Sequence, residues 1–217
     1  MKKTFLLLFL VSALRLNAQV LDLSAGMGIS LSSTPALNDY INASFATSED
    51  QRPSFTTNVE FYAEAGHQYK EHLQFGLEYA VIIGSYNTIN NKVGKYDMAY
   101  TIHLPSVLAY YVINGNGYKF KFGGGGGYRY VSLDETLANY SSAVNYTTSG
   151  VGFLVKADGN TTLGGNLYAN IQALMRLDFT GEPKSSTSVL SYNNIGKEKV
   201  NFNSFSVGVR LGLSYFF

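Results

Sequence analysis

The chain has 217 residues, enough for one all-β or α/β domain, and only 14% of them are charged, well below the roughly 25% usual for soluble domains. Without Cys there can be no disulfide, thiolate metal site, catalytic thiol or lipid-modified N-terminal Cys, and a net charge of +1 gives nucleic acid nothing to bind. With 17 Tyr, 14 Phe and 22 Gly the chain is too aromatic for disorder, yet its mean hydropathy is only −0.01.

In chain order, the first element is an export address. Lys2 and Lys3 precede an apolar core, Phe5 to Leu14, too short for a spanning helix, which needs about 20 residues. Asn17-Ala18-Gln19 offers a small-residue cleavage point. We therefore expect residues 1–18 to be a signal peptide and 19–217 the exported domain. Loss of Lys2, Lys3 and Arg15 leaves 13 basic against 15 acidic residues.

Beyond the address the chain alternates with period two. From Val20 to Ser32, Leu21, Leu23, Ala25, Met27, Ile29 and Leu31 share one face, and Asp22, Ser24, Gly26, Gly28 and Ser30 the other. Comparable segments follow at Thr56–Tyr69, Leu73–Tyr86, Tyr96–Val112, Tyr118–Leu133, Thr147–Ala157, Leu163–Thr180 and Phe202–Phe217, eight in all. Pro105 cannot donate to a ladder, so the fourth segment should carry a bulge or local break. Connections alternate in length. Ser33–Phe55, Asn87–Lys95, Asp134–Tyr146 and Gly181–Asn201 are long, whereas Lys70–His72, Asn114–Gly117 and Asp158–Thr162 are short. This is the organisation of an antiparallel up-and-down transmembrane β-barrel, with both termini and the short turns periplasmic and the long loops extracellular.

Three features favour a membrane wall over a soluble barrel. The strands are long enough to cross hydrocarbon. Their polar faces are rich in Gly and Ser, which suit a narrow lumen. They also carry mid-strand charges of both signs: parity places Asp22, Glu60, Glu64, Glu78, Asp97 and Asp178 in the lumen against Lys119, Lys121, Arg129, Lys156, Arg176 and Arg210. Buried charges are tolerable when paired, so a salt-bridged plug is expected.

The last eight residues, Arg210-Leu-Gly-Leu-Ser-Tyr-Phe-Phe217, resemble the C-terminal signal of small eight-stranded bacterial outer-membrane β-barrels of the OmpA/OmpX/OmpW type, and the resemblance extends over the exported chain. It implies Arg210, Gly212, Tyr215 and Phe217 as positions read by the barrel assembly machinery. It also implies outer-membrane lipid and lipopolysaccharide around the wall, and an outer-membrane protein as a possible partner. Roles in envelope integrity or adhesion, without enzymatic activity, follow from the resemblance, with a narrow porin-like conduit or a lipid A-modifying enzyme as alternatives.

No catalytic, cofactor or metal site is expected. Gly123–Gly127 lacks the Lys-Ser/Thr or helix of a phosphate loop and reads as a sharply coiled strand. A sharper idea is that Gly124 and Gly126 leave a groove on the lipid face. Lipid A deacylases of this architecture place His, Ser and Glu on the wall near the outer leaflet. Here His67 is expected outward but near the periplasmic end, His72 in a turn and His103 in the lumen. None is then placed to act as a general base there.

Overall fold

The computed structural model describes residues 21–217 except 48, 50, 91–93, 138–141 and 194–197. The expected signal peptide and its cleavage point lie outside the described residues. The strands are β1 (Leu21–Ser33), β2 (Thr56–Lys70), β3 (Leu73–Asn90), β4 (Gly94–Gly115), β5 (Tyr118–Thr136), β6 (Val144–Gly164), β7 (Leu167–Thr180), β8 (Ser191–Asn193), β9 (Glu198–Lys199) and β10 (Ser204–Phe216), with one helix, α1 (Pro35–Ser44). Strands β1 to β7 and β10 close into an antiparallel barrel in the order β1-β10-β7-β6-β5-β4-β3-β2, and β8–β9 form a separate ribbon.

Alternation along each strand produces the closure, because one face must leave water while the other lines the inside. Starting from Tyr215 and following ladder partners through Leu23, Ala65, Leu77, Val107, Gly126, Phe153 and Leu177 returns to β10 at Phe205, ten residues higher. A shift of about 33 Å around a circumference of about 38 Å tilts the strands by about 41°. Leu77, Val107, Phe153, Ile171, Leu211 and Leu213 point out and are half exposed, whereas the ionisable side chains of the strand middles are buried inside. This is the inverse of a soluble barrel and the arrangement that lipid requires.

The sequence expectations need correction in β6 and β4. Strand β6 continues to Gly164, so Asp158–Thr162 is strand rather than turn, and the hairpin turns instead at Gly165, which has φ 55°. In β4 the inward positions are Tyr96, Met98, Tyr100, Leu104, Leu108, Tyr110 and Val112, so Asp97 and His103 point outward. The error arose because this strand's inward face is mostly apolar, which inverts a reading based on polarity.

Pro105 does interrupt the ladder. Pairing between β4 and β5 skips from His103–Tyr130 to Ser106–Gly127 without a change of register. Side chains cap the carbonyls there. Arg129 Nη1 donates to the Tyr128 carbonyl at 3.0 Å, and Ser106 Oγ lies 3.4 Å from the Leu104 carbonyl. The neighbouring glycines explain themselves sterically: a Cβ on Gly123, Gly125 or Gly127 would lie 1.9–2.1 Å from a β4 carbonyl oxygen. A side chain at these positions would push β4 and β5 apart.

Candidate functional site: a charged lumen, a capped mouth and a polar notch on the wall

The lumen is filled by a chain of ion pairs. Glu64 accepts from Lys121 at 3.0 Å and also binds Lys156, which reaches Glu78 at 2.7 Å. Glu78 receives Arg210 at 2.9 Å, and Arg210 also binds Glu60, which holds Arg176 at 2.6 Å. Toward the short-turn end, Asp22 lies 3.4 Å from Lys119 and 3.8 Å from Lys121. Arg129 and Asp178 form a further pair. Aromatic faces complete the cages, with Arg210 4.8 Å from the Tyr62 ring centre and Lys121 5.0 Å from that of Tyr110. Among the described residues, eleven of the twelve charges expected in the lumen therefore meet there.

The twelfth is different. Asp97 faces out and pairs with Lys95 at 2.6 Å on the exterior. Its place in the balance is taken by Asp158, 3.4 Å from Lys121 and bonded by the amides of Asn160, Asn170 and Gln172. The even spacing of Asp158 from Lys156 carried that signal, hidden by the assignment of Asp158 to a turn. Six acids still face six bases.

At the loop end the connection Ser33–Phe55 is folded into the mouth. Pro35 opens α1, where its missing N–H costs no helical bond. Leu37, Tyr40 and Ile41, spaced as one helical face, are buried against Tyr96, Met98, Val131 and Leu133. Phe45 stacks on Tyr96 with ring centres 3.9 Å apart. The hydroxyls of Tyr40 and Tyr96 both donate to Glu135, the latter at 3.0 Å. Burial and the neighbouring Glu135 carboxylate hold the Tyr40 phenol well above its ordinary pKa. Arg52 is also buried and donates to Tyr100 and Thr56, each at 3.3 Å. From the sequence these cap residues are expected in an exposed loop, although the spacing of Leu37, Tyr40 and Ile41 is a helical signal. Beneath the cap an enclosed chamber of about 10 Å³, room for roughly one water, is lined by Ser32, Asn58, Asp178 and Ser206.

The polarity of the barrel therefore inverts along its length. In the lower part charge is inside and hydrocarbon outside. At the loop end the inside is mostly apolar around the buried Glu135 and Arg52, while the outward positions of the same strands become Lys95, Asp97, Ser132, Asn145 and Thr147. Outside the apolar belt the exterior can be wet and the interior packs on the helix.

On the outer wall, His103 sits beside Tyr79, with Nδ1 2.7 Å from the phenol oxygen, and its ring centre is 6.0 Å from that of Tyr130. Its outward position removes one ground for setting aside a wall-borne hydrolase. Among the described residues, however, no carboxylate hydrogen-bonds or ion-pairs with it. His67 does face outward near the short-turn end, and His72 lies in the turn after β2. Arg210, Gly212, Tyr215 and Phe217 occupy the end of the chain, with Tyr215 and Phe217 outward and their rings in edge contact at 4.8 Å.

No protein-family model matches the sequence, and no curated protein matches it. Solved structures do match in fold. The outer membrane protein OprG from Pseudomonas aeruginosa superposes with a TM-score of 0.52 at 14% identity, covering 91% of this chain and 97% of its own. A major outer membrane protein from Thermus thermophilus gives 0.54 at 12% identity, covering 90% and 98%. The fold is that of the outer-membrane β-barrels.

Proposed function

We propose that this protein is a non-enzymatic outer-membrane barrel with a plugged lumen, which engages another envelope or cell-surface protein through the loop end. Both termini and the short turns would lie in the periplasm and the long loops outside. The observation that carries the reading is the unequal length of the strands. β3 to β6 span 18, 22, 19 and 21 residues, whereas β1, β7 and β10 span 13, 14 and 13. Their surplus stands beyond the apolar belt as a four-stranded sheet.

One edge strand of that sheet is β3. Among the described residues, the β2–β3 ladder ends at Ile83 while the β3–β4 ladder continues to Asn90, so β3 rises seven residues, 84–90, beyond its ladder with β2. Ile89 on this segment is 70% exposed. An exposed apolar side chain on a sheet standing beyond the apolar belt is a contact point for another protein. The first loop, by contrast, is occupied as a cap, which leaves the β3–β6 sheet as the working face. Resemblance to the small barrels supports adhesion or association with an outer-membrane complex, with assembly directed by Arg210, Gly212, Tyr215 and Phe217.

A photo-crosslinking residue at Asn87 in intact cells tests the reading. A discrete adduct, absent with the same residue at Val151 on the wall and abolished by Ile89→Lys, is expected. Equal labelling at both positions would overturn it. A stable open current through the purified protein in planar bilayers would overturn the plugged lumen.

A further inference from the structure

The wall itself carries a second feature, independent of the sheet edge. His103 lies eight residues from Tyr111 on the same face of β4. At about 3.3 Å per residue and the tilt above, this places it about 20 Å from the Tyr111 ring level, near the far boundary of an apolar belt about 25 Å tall. The next outward residue is Thr101, whose ladder partner is Ser132 and, beyond it, Thr147. An ionisable side chain facing lipid at this depth is costly unless it has work to do.

The chemistry of the notch is one-sided. Tyr79 occupies Nδ1 of His103, Nε2 has no partner among the described residues, and Tyr130 stands alongside. Together with Thr101 and Ser149 these groups offer N–H and O–H donors, and none of them bonds a carboxylate among the described residues; Ser132 Oγ accepts from Asn145. The nearest carboxylates on the exterior, Asp97 and Asp134, lie higher and are engaged by Lys95 and Asn145. A set of donors lacking anionic neighbours suits an acceptor-rich, negatively charged group.

Directly below, an open groove of about 820 Å³ runs down the wall, beginning at Tyr79, Pro105 and Tyr128. Ala25, Ala63, Ala65 and Leu77 are among the residues that line it. It lies within the apolar belt, so its occupant is hydrocarbon. A single flexible acyl chain can follow a concavity of this shape along its length.

We propose that His103, Tyr79 and Tyr130 form the headgroup site of one phosphate-bearing membrane lipid, whose acyl chain lies in the groove below them. With the loops outward, this lipid belongs to the outer leaflet. This groove lies on the face centred on Ala63 and Pro105 and does not include Gly124 or Gly126.

Native mass spectrometry of the full-length protein, in micelles containing equal amounts of dioleoyl phosphatidic acid and dioleoylglycerol, tests this, because the two differ only in the phosphate. About tenfold greater retention of the phosphatidic acid is expected, the worth of one or two charge-assisted hydrogen bonds. His103→Leu should bring the ratio close to one, Tyr79→Phe should lower it partway, and Ala63→Phe should reduce retention of both lipids. Heat-dependent gel mobility identifies variants with closed barrels, and His103→Phe replaces His103→Leu if the latter does not close. Equal retention of the two lipids by the parent protein, or an unchanged ratio in closed His103 variants, would overturn the proposal. Displacement by excess inorganic phosphate would also overturn it, by showing a free-anion site.

Discussion

Arg210 Nη1 lies 2.9 Å from Glu78 Oε2 across the lumen, joining residues 132 positions apart in the chain. Both side chains are buried, and each has a second ionic partner: Glu60 for Arg210 and Lys156 for Glu78. Arg210 also stands in the C-terminal segment that resembles an assembly signal. Its guanidinium faces inward while Tyr215 and Phe217 face the lipid, so the same segment closes the barrel and links the two halves of the charge network.

Removing one member of that network strands its partners without water. Glu78→Ala should destabilise the folded barrel by about 3–5 kcal/mol. Asp97→Asn, outside the lumen, should change stability by less than about 0.5 kcal/mol. Urea unfolding in detergent micelles, followed by gel mobility, checks both. Comparable losses from the two would contradict the inward and outward assignments.

The glycines give a prediction whose size depends on position. A Cβ at Gly125 would lie 1.9 Å from the Val107 carbonyl oxygen, a backbone atom that cannot turn aside. At Gly181 the nearest atom is 3.4 Å away, on the Thr148 side chain. Gly125→Ala should therefore cost about 1–3 kcal/mol or prevent closure, while Gly181→Ala should be close to neutral. The fraction of unboiled protein that migrates as folded reports the difference.

The cap packs into the mouth through Leu37, Tyr40 and Ile41. Ile41→Ala removes buried contacts in the mouth and should cost about 2–5 kcal/mol locally. The barrel below has its own ladder, so its heat-dependent mobility should persist. Hydrogen exchange should rise in α1 and in the loop through Arg52, with little change in β7 and β10. Simultaneous loss of protection in those strands would mean that cap and barrel unfold together.

The pH response of the cap follows from Tyr40. Its pKa is raised in the fold, so its stabilising contribution is complete below the ordinary phenol pKa of about 10. Above that pH the unfolded segment ionises while the docked phenol resists, and the contribution is lost as pH rises. Exchange in α1 should accelerate above about pH 10 in the parent protein. In Tyr40→Phe the acceleration should be weaker and the cap already looser at neutral pH. An identical alkaline profile in the two would remove Tyr40 from this role.

The eight barrel strands, their antiparallel meander and the apolar wall were legible in residues such as Leu21 to Leu31 and Val207 to Phe217. A period of two assigns every side chain to one of two faces whatever the neighbouring strand. Glu60, Glu64, Lys156 and Arg210 were legible for the same reason, since charge in the middle of a lipid-crossing strand has to face inward. Which carboxylate meets which base was decided by the ten-residue shift around the barrel, a property of the closed sheet that no single strand contains. Asp97, His103 and α1 were also decided in three dimensions. Where the strands leave hydrocarbon, the solvent on their outer face changes from lipid to water, so the inward face can become apolar and accept a helix. Local alternation carries no record of that boundary, and the donor notch at His103 lies on it.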